Sequence, residues 1–367
     1  MIPIAEPVIG KEELKKVVEA VKSGWVSSRG KFIAEFENTF AKYCGVKYGV
    51  STCNGTTALH LALAALNIGK GDEVLVPALT FISTANVVAY TGAKPVFVDS
   101  TENYWQIDPD KIEEKITKRT KAVIPVHLYG HPCDMGGIMR IAGKHKLHVI
   151  EDCAEAHGAE YNGKKVGSFG IISCFSFYGN KIITTGEGGM CLTNNSAVSA
   201  RMNMLKGHGM NPSKKYWHDE IGFNYRMTNL QAAIGVAQLA KIDKFIEGKR
   251  RLAGLYGKYL GDLAEKGFIT LHPEMPWAKC VYWMYSILIE NKYGKKRNNV
   301  IEALLKEGID TRPFFYPVHT MPCYRSDNVS FPGAERVSSK GINLPSAVNL
   351  TDKKIKYICD AIIKYSN

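Results

Sequence analysis

Between residues 47 and 193 short apolar runs alternate with stretches of helical character, and this alternation narrows the fold more than any other feature of the chain. The runs Glu73 to Val76, Pro95 to Val98, Ala122 to Val126 and His148 to Glu151 read as strands, and the pattern predicts a parallel sheet covered by helices. Ile172 to Phe177 and Met190 to Thr193 add two further strands. From about Thr228 to Phe245, Leu230, Ala233, Ile234 and Ala237 fall at i, i+3, i+4 and i+7, which predicts one helix with an apolar face that bridges two parts of the chain. Beyond residue 245 the pattern changes to a smaller α+β segment, with a strand near Tyr282 to Ile289 and a last helix near Asp352 to Tyr365. The expectation is an α/β protein with a large domain over residues 1–245 and a small C-terminal domain over 246–367. Its 367 residues, 45% of them hydrophobic, suffice for two cores.

Three segments of this pattern carry chemistry. Ser176 to Gly189, SFYGNKIITTGEGG, sets Lys181 in a turn between two apolar strands. A lysine forms Schiff bases with carbonyls only while its amine is neutral, and an enclosed turn between buried strands lowers the pKa of that amine. Glycines 186, 188 and 189 permit a turn that residues with a Cβ resist, allowing a ligand to come close to the backbone. The plainer alternative is a surface lysine in a glycine-rich hairpin, one of 47 Lys and Arg residues. Val149 to Glu155, VIEDCAE, reads as a buried strand that delivers Asp152 at its carboxyl end, where open α/β sheets bind ligands. A carboxylate there can pair with a protonated heterocyclic nitrogen, as pyridoxal phosphate requires. Equally, Asp152 ahead of Ala154-Glu155-Ala156 can cap a helix. Ser51 to Thr57, STCNGTT, lies between a strand-like run and the helical stretch Ala58 to Leu66. Free N–H groups at a helix start, with the Thr56 and Thr57 hydroxyls, suit a phosphate, the alternative being a capped helix without a ligand. Neither a Walker A motif nor GxGxxG occurs, so a nucleoside triphosphate or dinucleotide has no support here.

In this order and spacing the three segments resemble the sugar aminotransferases of the DegT/DnrJ/EryC1/StrS family. The resemblance begins at Gly24 to Glu37 and continues through Gly55-Thr56, Pro77 to Phe81, Val126 to Met135, EDCAEAHGA, SFYGNK, GEGGM and Phe223 to Gly235, nearly the whole chain. It implies an aspartate-aminotransferase-like (type I) fold with a large mixed sheet, and pyridoxal 5'-phosphate as cofactor. It further implies that Lys181 is the Schiff-base lysine and proton shuttle, and that Asp152 pairs with the pyridinium nitrogen. Phe81 would stack on the ring, while Gly55, Thr56 and Ser176 would hold the phosphate. Asn224 would reach that phosphate from the neighbouring subunit, making a homodimer with shared sites. Glu155 stands where many relatives carry Gln, near the expected ring hydroxyl; neutral, it can donate a hydrogen bond as Gln does, whereas ionised it only accepts. The family's 3-dehydratases replace the lysine with histidine, so Lys181 favours transamination.

Within the family, SFYGNK with ITTGEGG, YWHDEIGFNYRMTN and RPFFYPVH look closest to the members that move the amino group of L-glutamate to C4 of GDP-4-keto-6-deoxymannose. A UDP- or dTDP-linked keto sugar, or a regulator that binds without turnover, are the alternatives. The stretch Arg312 to His319 is aromatic and stiffened by two prolines. By resemblance it borders the active site, with Tyr316 and His319 as sugar contacts and Arg29 as a further candidate; packing between domains is the alternative.

A net charge of +12 raises nucleic acid as a partner, but the lysines are scattered and no basic run is interleaved with aromatics, so a surface that favours an anionic nucleotide sugar is expected instead. The nine cysteines are odd in number and form no CxxC pair, and they are expected to be reduced and buried. No apolar run reaches transmembrane length, and Met1 to Lys11 lacks signal-peptide character, so a cytoplasmic protein without membrane contact is expected. His127, His131 and Cys133 are close together, yet Gly130 and Pro132 argue against a helix that presents them as ligands. Loop or sugar-pocket positions are expected for these histidines, and no metal.

Overall fold

Seven strands form the main sheet: β1 (Tyr48–Thr52), β2 (Glu73–Pro77), β3 (Lys94–Val98), β4 (Thr120–Val123), β5 (His148–Asp152), β8 (Ile172–Ser176) and β9 (Gly189–Thr193). They appear in a computed structural model that describes residues 1–325 and 329–366. Their order is β1-β9-β8-β5-β4-β2-β3. Neighbours from β3 across to β8 pair in parallel, whereas β9 runs against both β8 and β1. The sheet is therefore mixed, as the resemblance implies, with the parallel pairing that the alternation predicts confined to β3 through β8. The cause lies in the β8–β9 connection, which contains no helix to carry a crossover and returns the chain directly.

Both faces of this sheet are covered, which is why β2, β8 and β9 are buried along their whole length. Leu59, Leu61 and Leu63 of α3 (Gly55–Ala65), with Val87 and Val88 of α4 (Ser83–Tyr90) and Met202 and Leu205 of α6 (Ser196–Leu205), fill one side. On the other side Phe36 and Phe40 of α2 (Lys31–Cys44) pack edge-on and tilted against Phe175 and Phe177. Ile138, Ile141 and Ala142 of α5 (Met135–His145) cover Leu75, Val98 and Val149. Helix α1 (Lys11–Lys22) lies on α7 (Asn229–Leu239).

The helix expected over 228–245 is two helices. Thr228 and Gln231 form a capping box that starts α7, and the chain leaves helical geometry at Lys241 before α8 (Ile242–Glu265) begins. The Lys241 ammonium pairs with buried Glu13 of α1, which fixes the break. Helix α8 continues through residue 245 and packs on β10 (Ile269–Leu271) and α11 (Asp352–Lys364). A second sheet, order β10-β12-β14-β13, joins β10 to β12 (Tyr285–Ile289), β13 (Arg312–Pro313) and β14 (Gly341–Leu344). Helices α9 (Arg297–Lys306) and α10 (Pro332–Lys340) complete this part. The first residues join it too, since Ile2 bridges to Ile309 and the Ser346 N–H donates to the Ile4 carbonyl at 2.8 Å. A small sheet of β6 (Glu160–Tyr161), β7 (Lys164–Lys165) and β11 (Ala278–Lys279) ties the two parts together. All cysteines are free; Cys323 is exposed and Cys53 half-buried, and the others are buried. Among the described residues no helix is long and apolar enough to cross a membrane.

Candidate active site

The carboxyl ends of β1, β2, β5 and β8 share one edge of the main sheet, and a cavity of about 380 Å³ opens there. Its wall includes Gly55 and Thr56 from the start of α3, Phe81 after β2, Asp152 at the end of β5 and Glu155 beyond it, Ser176 at the end of β8, and Lys181. Asn54 caps α3: its side chain accepts the Thr57 N–H at 2.9 Å, while the Thr57 hydroxyl accepts the Asn54 N–H at 3.2 Å. Thr57 is thus consumed by the cap and does not face the cavity, contrary to the expectation that both threonine hydroxyls meet a ligand. The first N–H groups of the helix, on Gly55 and Thr56, have no intrahelical acceptor and open onto the cavity. A Cβ on Gly55 would stand 2.7 Å from the Ser176 Cβ, so glycine is needed to bring the helix start and the Ser176 hydroxyl into one cradle. Gly189 comes as close to the backbone, its Cβ position lying 2.3 Å from the Asn54 carbonyl oxygen. That glycine serves contact between two protein segments, not ligand approach.

Lys181 sits in a turn in which its N–H donates to the Tyr178 carbonyl at 2.9 Å. Its Nζ lies 3.7 Å from Glu155 Oε1 and 3.9 Å from the centre of the Trp283 ring. Burial lowers the pKa of this amine, against the pull of the Glu155 and Asp152 carboxylates. Burial pushes Glu155 up to about 7, although Lys181 and the Tyr129 N–H, 2.8 Å from Oε2, oppose the shift. Burial thus drives each partner of this pair toward its neutral form. Asp152 is also raised by burial, and is held back by the Thr84 hydroxyl on Oδ2 at 2.8 Å and the Ala154 N–H on Oδ1 at 3.1 Å. The residues after Asp152 form turns, so it caps no helix; its bond to the Ala154 N–H is an Asx turn.

A cradle of two backbone N–H groups and a hydroxyl, closed to side chains at Gly55, suits a phosphate. The buried Asp152 suits a cationic ring nitrogen, the enclosed amine an aldehyde, and Phe81, 53% exposed where it lines the cavity, the face of a ring. This donor set fits pyridoxal phosphate.

Two further residues belong to the site, and sequence reasoning passed over them. Trp283 lines the cavity and its Nε1 donates to the Asn180 carbonyl at 2.7 Å. Tyr129 adopts a left-handed backbone with φ 54°, which aims its N–H at Glu155, and its hydroxyl accepts the Phe315 N–H at 3.1 Å. An aromatic residue directly before Gly130 within VHLYGHPCDM was a usable signal for a strained turn; Trp283, at the head of a strand far along the chain, offered none.

Four expected residues do not line this cavity within one chain. Arg29 borders a separate cleft of about 530 Å³ with Trp25, Phe32 and Asn229. The Asn224 side-chain oxygen accepts two bonds from Arg226, at 3.1 and 3.0 Å. Tyr316, 56% exposed, lies in a cleft beside Arg297 and Ser338, and Phe315 faces the cavity in its place. His319 is buried, its Nε2 3.0 Å from Glu335 Oε1 and its ring against Phe331. His127 and His131 are fully buried and are not sugar-pocket residues: His131 Nε2 accepts the Met275 N–H at 3.1 Å, and His127 Nδ1 accepts the Cys133 N–H at 3.0 Å. His127, Glu151 and Cys153 hold potential ligand atoms within 4.8 Å of one another. The Glu151 oxygens, however, already accept three backbone N–H groups as well as the His127 ring.

The model of the DegT/DnrJ/EryC1/StrS aminotransferase family matches residues 7–363. The chain is 48% identical to a GDP-perosamine synthase of Escherichia coli O157:H7 over 364 residues, 99% of this chain and 98% of that one. It is 47% identical to a GDP-perosamine synthase of Caulobacter vibrioides over 364 residues, 98% and 97% of the two chains. Among solved structures, a putative sugar aminotransferase of Streptococcus pneumoniae in its PLP form superposes with a TM-score of 0.93 at 27% identity, covering 100% of this chain and 98% of that one.

Proposed function

This chain belongs to the DegT/DnrJ/EryC1/StrS aminotransferase family, and on that premise we propose that it uses pyridoxal 5'-phosphate to move the amino group of L-glutamate to C4 of GDP-4-keto-6-deoxy-D-mannose, giving GDP-perosamine. Its fold is the aspartate-aminotransferase-like (type I) fold. One observation carries the reading: the Lys181 amine is enclosed and stands 3.7 Å from Glu155, in a cavity that also holds a helix N-terminus and a buried carboxylate. The relatives of 48% and 47% identity, both named GDP-perosamine synthase, support the choice of sugar.

When bound, pyridoxal phosphate supplies a protonated pyridine ring that withdraws electrons from the carbon bearing the amino group. The Gly55 and Thr56 N–H groups and the Ser176 hydroxyl would hold its phosphate, and Asp152 would keep its ring nitrogen protonated. Phe81 would cover one face of the ring. Lys181 would bind the aldehyde through Nζ and, once released, carry the proton away from the carbon of glutamate and later deliver it to C4 of the sugar. Glu155, within reach of that amine, would set how much of it is neutral. A homodimer with shared sites is part of this reading: Asn224 would reach the phosphate of a second copy, and it does not line the cavity of its own chain, which agrees with that role; Arg29 would contact the sugar. L-glutamate leaves as 2-oxoglutarate.

The test is to supply the loaded protein with glutamate and GDP-, UDP- and dTDP-linked 4-keto sugars, then weigh the products by mass spectrometry. Amination of the GDP-linked sugar with one 2-oxoglutarate formed per amine is expected. Amination of a UDP- or dTDP-linked sugar alone would overturn the GDP assignment and leave the family intact.

A further inference from the structure

Behind the cavity a second lysine is buried, and the chemistry proposed above does not use it. Lys249, on α8, is 5% exposed, and its Nζ donates to the carbonyls of Trp283, at 2.8 Å, and Ser346. Burial alone depresses its pKa, to about 7, with no carboxylate among the described residues to compensate. An ammonium group buried on carbonyls is costly, and an apolar side chain of similar length would fill the space without that cost. The carbonyl that Lys249 holds belongs to the residue that holds Lys181. Trp283 Nε1 donates to the Asn180 carbonyl at 2.7 Å, one residue before Lys181, and the indole face lies 3.9 Å from Lys181 Nζ. Lys181, Asn180 and Lys249 also line one small cavity of about 20 Å³, so the two lysines are near neighbours.

We propose that Lys249 is a positioning residue for Lys181: by fixing the Trp283 peptide it keeps the indole packed on the Lys181 amine and keeps water from it. The inference rests on the reading of Lys181 as the amine that binds the cofactor. The titratable groups around that amine are Asp152 at the end of β5 with Glu155 and His157 after it, Tyr178 and Glu187 on the β8–β9 connection, and Glu6 with Lys249 on the opposite side. A loosened Trp283 would cost the Lys181 ammonium its attraction to the indole face but return the larger solvation that burial removes, the dominant influence on this amine, so the midpoint of its titration would rise.

Acetylation of Lys181 by acetic anhydride across a pH series, read by mass spectrometry on the full chain without cofactor, measures that midpoint. In Lys249→Met it is expected to rise by about one unit, a tenfold change in the equilibrium. Trp283→Leu should raise it as well, and Lys249→Met should then add nothing further. Lys249→Gln, which can still donate to a carbonyl but carries no charge, should keep the parent value. Three results would each overturn the role: no shift in folded Lys249→Met, an equal shift in Lys249→Gln, or a full additional shift in the Trp283→Leu background. Where Lys249→Met does not fold, Lys249→Leu, which likewise leaves the Trp283 carbonyl without its donor, takes its place under the same criteria. Failure of the cofactor reading would show differently, as a parent chain that develops no visible absorbance with pyridoxal phosphate, and would leave the acetylation result standing.

Discussion

Glu151 and Glu155 stand four residues apart, both buried, and meet opposite fates. On the side of β5 away from the cavity, Glu151 Oε1 accepts the Phe169 and Gly170 N–H groups at 2.7 and 2.8 Å, and Oε2 accepts the Gly167 N–H at 2.7 Å with His127 Nε2 at 3.3 Å. Burial works to raise its pKa, but these donors outweigh it and hold the carboxyl below its ordinary value. On the cavity side, Glu155 has one backbone N–H at 2.8 Å and a lysine amine at 3.7 Å, and burial wins, pushing it up to about 7. A buried carboxylate given four donors is a fixed structural charge, whereas one given a single donor and a titratable neighbour keeps a mobile proton. The second kind is what proton transfer needs.

The contrast can be broken most forcefully at Lys181. Lys181→Ala is expected to lower transamination by orders of magnitude while the melting temperature stays close to the parent's, because the substitution removes a buried amine whose burial is unfavourable. Turnover near the parent rate would remove Lys181 from the chemistry. Next in size is Glu151→Gln, which sets an amide NH₂ among N–H donors and strips the anion from His127; a loss of about 3–5 kcal/mol is expected in urea unfolding. A loss below about 1 kcal/mol would mean that the Glu151 network is not a structural charge. Asp152→Asn stands third. Replacing an anion that faces a developing cation should lower kcat by about 10²–10³-fold, with a milder loss of cofactor affinity. Unchanged kcat in a folded, loaded variant would show that the ring nitrogen does not depend on Asp152.

The residues legible in the sequence were those whose position is set by the segment they sit in. Gly55, Thr56, Phe81, Asp152, Ser176 and Lys181 each end a strand or follow closely on one, and parallel strands carry their carboxyl ends to one edge, so finding the strands was enough to gather these residues around one cavity. Trp283 and Tyr129 join the site by tertiary packing: the Trp283 indole lines the cavity and docks on the Asn180 carbonyl, and Tyr129, behind the wall, turns through a left-handed conformation to aim an N–H at Glu155. Neither contact has a periodicity or local spacing. The same holds for the break between α7 and α8, where the apolar face continues through residue 240 and the interruption depends on Glu13, more than two hundred residues away in the chain. Thr57 is different, because Asn54-x-x-Thr57 is itself a local capping pattern that a closer reading of the segment would have set apart from Thr56.

The smallest expected effect tests the comparison most directly. The folded-state pKa of Glu155 is raised from an ordinary 4.5 to about 7. Between those two values the folded chain keeps a proton that the unfolded chain has released. Stability contributed at this position is therefore fully present below about pH 4.5 and declines as pH rises to about 7. Gln cannot titrate, so the unfolding free energy of the parent minus that of Glu155→Gln should fall across this window and level off above it. The fall should be at most about 3 kcal/mol, and smaller to the degree that Lys181 keeps its charge and pairs with the ionised carboxylate. Urea unfolding of both proteins without cofactor, at several pH values from about 5 to 8, gives the slope. For Glu151→Gln the same difference should be flat over that range and change only at lower pH, because a depressed carboxyl loses its contribution as pH falls. If Glu155 also gave a flat line, it would be ionised throughout as Glu151 is, and the proton assigned to the Lys181–Glu155 pair would have to lie elsewhere.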